Sequence, residues 1–317
     1  MILLTGSTGF IGQSLSQKLT NQKVPLTAAV RRTTDTLPDP IRQVPVGDLL
    51  PNTDWSQALT SVDAVIHLAA RVHVMQDTAT DPLAAFRNIN TAGTLNLARQ
   101  AAAAGVRRFI FLSSIKVNGE HTTADKPFTA DDTHIPTDLY GISKYEAEQG
   151  LHELALQTGM EVVIIRPPLV YGPGVKANFL SMMRWLHKGI PLPLGAIHNQ
   201  RSLVALNNLV DLITTCIDHP AAANQTFLVS DGEDLSTTAL LQRLGSALGK
   251  PTRLLPVPQR LLTASLTLLG KAAIAQRLCG NLQVDISKTR DLLGWVPPLS
   301  VDEALRQTAQ AYLQSRR

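Results

Sequence analysis

The first dozen residues, MILLTGSTGFIG, restrict this chain more than any other stretch. An apolar run at 2–4 meets a turn in which Gly6, Gly9 and Gly12 fall three apart. The run reads as a short buried strand. Gly6 permits a tight turn with unusual backbone angles. Gly9 lets backbone approach a pyrophosphate without a Cβ in the way, and Gly12 lets the following helix pack close to the strand. That helix is expected over about 9–19, with Ile11, Leu15 and Leu19 on one face. Its first turn offers free N–H groups and a positive dipole end to an anion. The spacing GxxGxxG departs from the usual GxGxxG, and an ordinary strand–turn–helix junction can carry the same letters. The rest of the chain decides.

Strand-like stretches at 24–30, 64–68, 108–112 and 162–165 alternate with helical ones at 88–104, ended by Gly105, and 140–157, closed near Gly159. Strands separated by helices require crossovers and a parallel sheet, an α/β fold. Beyond Pro168, prolines and glycines cluster in PPLVYGPG and GIPLPLG, and helical patterns dominate from Ser236. A nucleotide-binding half is therefore expected before a smaller substrate-binding half, with no clean linker.

The composition excludes several classes. A hydrophobic share of 44% over 317 residues supports a sizeable core. The net charge of +4 is spread out, and Arg31-Arg32 and Arg107-Arg108 are too short for a nucleic-acid stripe. Cys216 and Cys279 lack metal-ligand spacing, so free thiols, no metal and a reducing, cytoplasmic setting are expected. No basic segment precedes the first apolar run, which argues against a secretory leader. The most apolar stretch, 261–278, is interrupted by Lys271 and Arg277 and falls short of a membrane span. It is expected as a buried or half-buried helix; contact with a membrane or partner is the other reading.

Chemistry enters about twenty residues past the glycine turn, where an acid would hold the ribose of NAD. The sequence there reads TAAVRRTTD. Guanidinium groups suit a 2′-phosphate, so Arg31 and Arg32 favour NADP(H), with NAD(H) the alternative; a solvated pair is the plain reading. Asp48 follows the expected third strand and either meets adenine or caps a turn. In YGISK, Tyr140 and Lys144 lie at i and i+4 and share a helix face. A nearby ammonium would favour phenolate and make Tyr140 an acid/base near neutrality. YxxxK alone is common, and a surface pair carries the same letters.

Glycine turn, strand-end serines and YxxxK, in this order and separation, resemble the extended short-chain dehydrogenase/reductase superfamily and its NAD-dependent epimerase/dehydratase family. HLAA (67–70), NINTAGT (88–94), SSIKVNG (113–119), RPPLVYGPG (166–174), RSLVALNNLVD (201–211) and DISKTRDLLGW (285–295) add to the resemblance. It implies a Rossmann-like doubly wound parallel sheet over 1–166 and a smaller, mostly helical nucleotide-sugar domain over 167–317, with an interleaved boundary. It implies that Tyr140 is the acid/base, that Lys144 holds the nicotinamide ribose, and that Ser114, rather than Ser113, binds the reacting oxygen. Cofactor contacts are implied for Gly6, Thr8, Gly9, Phe10, Ile11, Gly12, Asp48, Leu49, Leu68, Ala69, Ala70, Asn90 and Pro167. Arg71 is implied beside the dinucleotide and toward the substrate. Asn178 and Arg201 are implied at the phosphates of a nucleotide sugar, although each could be a loop residue. Pairing of the helices near 90–104 and at Tyr140 implies a homodimer; the alanines at 98 and 101–104 allow such an approach, or pack within the subunit.

Where dehydratases of this superfamily carry an Asp-Glu pair, this chain has Ile115 and Lys116, which argues against water elimination. Galactose-type epimerases usually carry an acid where Arg31-Arg32 stands, often tyrosine at the position of Asn118, and asparagine near Pro168. The expected activity is therefore NADPH-dependent reduction of a UDP-4-keto-6-deoxy-N-acetylhexosamine, as in surface-polysaccharide (lipopolysaccharide O-antigen) synthesis. A UDP-hexose or UDP-N-acetylhexosamine 4-epimerase with tightly bound NAD is the alternative. A hydroxysteroid- or flavonoid-type reductase leaves Arg201 unexplained. A non-catalytic dinucleotide sensor fits poorly with Ser114, Tyr140 and Lys144 all present.

Overall fold

The computed structural model describes residues 1–72, 80–123 and 126–316. Its strands are β1 (Ile2–Thr5), β2 (Leu26–Val30), β3 (Arg42–Pro45), β4 (Ala64–His67), β5 (Arg108–Leu112), β6 (Glu161–Arg166), β7 (Leu169–Tyr171), β8 (Arg201–Ala205), β9 (Gln225–Leu228) and β10 (Asp234–Leu235). Its α-helices are α1 (Phe10–Asn21), α2 (Pro82–Phe86), α3 (Thr94–Ala103), α4 (Leu139–Thr158), α5 (Ala177–His187), α6 (Leu206–Asp218), α7 (Thr237–Ala247), α8 (Gln259–Leu268), α9 (Ala272–Cys279), α10 (Ser287–Leu293) and α11 (Val301–Gln314).

Seven strands form one sheet in the order β3-β2-β1-β4-β5-β6-β9, every pairing parallel. The strand order reverses at β1, as in the doubly wound Rossmann-like fold expected. β1, β4 and β5 are buried throughout, because helices cover both faces. Alternate residues feed opposite cores. Leu4, Ile66, Ile110 and Val163 pack toward α1 and α6, while Leu3, Val65, Phe109 and Val162 pack toward α3 and α4. β10, β8 and β7 form a small second sheet, beside a separate core that includes Phe179, Leu203, Leu241 and Leu305. The last strand of the large sheet, β9, comes from beyond residue 166, so the two halves share that sheet.

Several expected boundaries change. The helix expected at 88–104 begins earlier, at Pro82, behind an Asp81 cap that accepts from the Ala84 N–H. It passes through a π-helical turn at Arg87–Gly93 before α3. The alanines at 98 and 101 are buried within the subunit, while those at 103 and 104 are exposed. The stretch 261–278 is half-buried, as expected, but forms two short helices in place of one. Gly270, at φ +69°, stops α8, and α9 then follows as a second short helix. Each helix buries only one side: Leu262, Ala275 and Cys279 face inward, and Leu261, Leu268, Leu269 and Ile274 remain exposed. Among the described residues no helix is long and apolar enough to cross a membrane.

Candidate active site

Parallel strands point their carboxyl ends the same way, so the segments that follow them gather along one edge. Gly6 follows β1, Leu68 follows β4, Ser113 and Ser114 follow β5, and Pro167 follows β6. Arg31 and Arg32 follow β2, and Asp48 lies three residues past β3. One edge therefore receives most residues that the sequence nominated.

The glycine turn is built to close limits. Gly6 has φ +69°, and a Cβ there would lie 2.8 Å from the Ala69 nitrogen. A Cβ on Gly12 would sit 2.0 Å from the Gly6 carbonyl oxygen; on Gly9 the nearest atom, the same oxygen, would be 3.2 Å away. Gly9 caps α1 without a side-chain hydrogen bond, and no acid occupies the first turn. Thr8 and Gly9 are exposed, while Phe10 and Ile11 are half-buried. An uncapped, acid-free helix start above a backbone that admits no side chain fits a dinucleotide pyrophosphate.

Around this cradle, the Ala69 N–H donates to Thr5 Oγ1 at 3.2 Å. Asn90, in the π turn, accepts from the Arg71 N–H at 2.8 Å and donates to the Arg71 carbonyl at 3.0 Å. Its amide also reaches Ser143 Oγ on α4 at 3.1 Å. Asn90 thus fixes the loop of Ala70 and Arg71 against the helix that carries Tyr140. Leu49 is half-buried, and its carbonyl oxygen lies 2.8 Å from where a Gly93 Cβ would project. Arg31, Arg32 and Asp48 are exposed, and among the described residues none of their side chains forms an ion pair or hydrogen bond.

Asp138 caps α4 by accepting from the Gly141 N–H at 2.9 Å, and Lys116 Nζ donates to its other oxygen at 2.8 Å. This pair ties the segment after β5 to the start of the Tyr140 helix. Ser113 donates to Glu148 and is committed there. Ser114 is half-exposed and accepts only a 3.3 Å backbone contact from the Lys116 N–H, so it is the serine with a hydroxyl to offer. The Tyr140 ring meets Phe86 edge-on, with centroids 6.0 Å apart.

Lys144 lies one helical turn beyond Tyr140 on α4. It is buried, donates to the Leu112 carbonyl at 2.8 Å, and lies 4.3 Å from the Phe111 ring centre. Burial brings its pKa down to about 7, against the opposing pull of the Glu148 carboxylate. The Tyr140 phenol moves the other way: burial, then the Asp138 carboxylate, push it up to about 12. In both groups desolvation is the first cause of the shift.

In the second half, Arg201 opens β8 and donates to the Gly280 carbonyl at 3.0 Å; burial lowers its pKa. Asn178 lies in the first turn of α5 and is exposed. No hydrogen bond joins the two among the described residues.

Two residues escaped the sequence reading. Glu148 is fully buried and holds Arg166 through Oε2–Nη2 at 2.5 Å and a second contact at Nε; Arg166 in turn donates to Asn118 Oδ1 at 3.0 Å. A signal existed: Tyr140, Lys144 and Glu148 fall at i, i+4 and i+8. His67 is also fully buried, 2.7 Å from Thr5 Oγ1 and 2.9 Å from Thr94 Oγ1. Burial, with Lys144 second, lowers its pKa to about 3.

Comparison with known proteins addresses the family and the fold. The profile of the NAD dependent epimerase/dehydratase family matches residues 2–230. A UDP-glucose 4-epimerase of Vibrio cholerae is 55% identical over 316 residues, covering 99% of this chain and 96% of that protein. A GDP-6-deoxy-D-mannose reductase of Pseudomonas aeruginosa is 25% identical over 316 residues, covering 96% and 94%. The solved UDP-glucose 4-epimerase of Thermotoga maritima, 21% identical, superposes with a TM-score of 0.79 over 100% of this chain and 99% of its own. From nucleotide edge to tyrosine helix, this chain belongs to the NAD dependent epimerase/dehydratase family.

Proposed function

We propose that the protein is a 4-epimerase of a UDP-linked hexose, interconverting UDP-glucose and UDP-galactose with NAD retained through the cycle. The observation that carries this reading is the 55% identity, over nearly the whole chain, to the Vibrio cholerae UDP-glucose 4-epimerase. It favours the epimerase over the 4-keto reductase expected from sequence, and removes the argument that a consumed cofactor suits the reaction. Arg31 and Arg32 remain the observation on the other side.

The nicotinamide ring, when bound, supplies reversible hydride exchange with C4 of the sugar. The residues from Gly6 to Gly12 hold the pyrophosphate, and Asn90 fixes the adjoining Arg71 backbone. Ser114 donates a hydrogen bond to the sugar O4. Tyr140 accepts the O4 proton as C4 is oxidised and returns it after the sugar has turned its other face. C4 ends with its hydrogen on the opposite side and no net redox change. A phenol held near 12 accepts a proton only once ionised. The oxidising half-reaction therefore needs the phenolate, which a neighbouring positive charge favours, and Lys144 lies one helical turn on along α4. Arg201 and Asn178 hold the diphosphate.

The test begins with the mass of the dinucleotide that co-purifies, followed by incubation with UDP-glucose and UDP-galactose separately. The expected result is bound NAD and interconversion with no net cofactor consumption. Tyr140→Phe should keep the dinucleotide and lower kcat by roughly 10²–10⁴. Stoichiometric NADPH oxidation by a UDP-4-keto-6-deoxy sugar, without interconversion, would overturn the epimerase reading. Wild-type turnover in Tyr140→Phe would remove this tyrosine from the mechanism.

A further inference from the structure

The surface of the second lobe carries an unusual combination. Residues 235–284 contain no Asp or Glu, in a chain that has 25. Lys250, Arg253, Arg260, Lys271 and Arg277 lie in this span, and all five are exposed. Among the described residues none of them forms an ion pair.

Exposed apolar side chains share the span. Leu255, Leu261, Leu268, Leu269 and Ile274 are between 44% and 88% exposed. Leu268 and Leu269 stand at the turn between α8 and α9, beside Gly270 and Lys271. Leu261 and Leu268 are seven residues apart, two helical turns, and so share the outer face of α8. Leu262 occupies the inner face. A helix apolar on both sides is normally buried on both; α8 buries one. Gln259, Arg260, Thr263 and Ala264 line a depression on the same helix.

We propose that the α8–α9 hairpin is a peripheral docking surface for an anionic phospholipid bilayer. Leu261, Leu268, Leu269 and Ile274 enter the boundary between headgroups and acyl chains, and Arg260, Lys271 and Arg277, the cations of the hairpin itself, meet lipid phosphates. Charge complementarity decides the occupant. A nucleic acid offers phosphates but nothing for the leucines, and a second copy of this surface would set cation against cation. Neither helix spans the bilayer; the hairpin lies on it, as interfacial elements with an apolar edge and a basic rim do. The surface is independent of which C4 reaction the protein performs.

The test is flotation of the full-length protein with vesicles of phosphatidylcholine alone or mixed with phosphatidylglycerol, over a salt series. Binding is expected only to the mixed vesicles, and to weaken as salt rises. Leu268→Ser with Leu269→Ser should lower partitioning by more than roughly tenfold, and Lys271→Gln by roughly fivefold. Both variants should keep wild-type turnover in vesicle-free buffer, which shows that they fold. Absence of flotation with the mixed vesicles overturns the proposal, as does equal binding by the double-serine variant. A solution dimer that the serine substitutions dissociate would make a second copy the occupant and also overturn it.

Discussion

Alanine at Gly9 and alanine at Gly12 should produce different defects, because the two glycines meet different limits. At Gly12 the added Cβ would lie 2.0 Å from the Gly6 carbonyl oxygen, against 3.2 Å for the same atom at Gly9. Reaching that tolerable separation requires α1 to retreat by about 1.2 Å from a backbone that cannot yield like a side chain. Overpacking costs roughly 1–3 kcal/mol, and a clash with backbone belongs at the top of that range. With an unfolding entropy of about 2.1 cal/mol/K per residue, ~3 kcal/mol over a chain this long lowers Tm by roughly 4–5 °C. Gly9 has an ordinary extended backbone, φ −78° and ψ 173°, so alanine there should move Tm by less than about 1 °C. Its Cβ instead crowds the space over the uncapped helix start. Losing one charge-assisted hydrogen bond to phosphate, roughly 1.5–3 kcal/mol, weakens dinucleotide binding by about 10–100-fold. Scanning calorimetry and titration calorimetry on stripped protein read the two effects separately. A Tm loss confined to Gly9→Ala, or unchanged dinucleotide affinity in that variant, would refute the division of labour.

Two further outcomes follow from buried charge. His67 has its pKa lowered from 6.5 to about 3, so between those values the unfolded chain binds a proton that the native protein does not. Its contribution to stability is complete above about pH 6.5 and is lost as pH falls toward 3, at up to roughly 1.4 kcal/mol per unit. Urea unfolding at pH 7 and pH 5 should show this loss in the wild type and a flatter dependence in His67→Gln; identical slopes would contradict it. Glu148→Gln strands the Arg166 guanidinium in the interior and should cost roughly 3–5 kcal/mol, while Glu148→Leu with Arg166→Met should recover much of it. Thermal melts of the wild type and both variants decide, and a double variant no more stable than Glu148→Gln would count against the ion-pair account.

Legibility in the sequence followed the range of the interaction. The glycine turn, the Tyr140–Lys144 spacing and the strand–helix alternation are local patterns, and the structure keeps them. The choice of Ser114 over Ser113 is supported by a contact made 35 residues away, at Glu148. The direction of Lys144 was not readable, because helical spacing places a side chain on a face without saying which acceptor it finds. The π turn at Arg87–Gly93 escaped because it depends on Asn90 reaching the Arg71 backbone. The half-burial of 261–278 was legible from its apolar content with interrupting charges, but the break at Gly270, whose φ is +69°, was not.

The return of β9 to the large sheet has a consequence for synthesis. β6 pairs with β9 along Val163–Arg166, and about sixty residues of the second lobe intervene. At roughly 5–20 residues per second, a ribosome needs about 3–12 s to deliver them. Throughout that interval the first half stands with an open parallel edge at β6, held only on the β5 side. A fragment ending at Arg166 keeps that edge permanently. The sheet can be completed only by a nascent chain that has already been made as far as β9, so assembly of the two halves is ordered by translation.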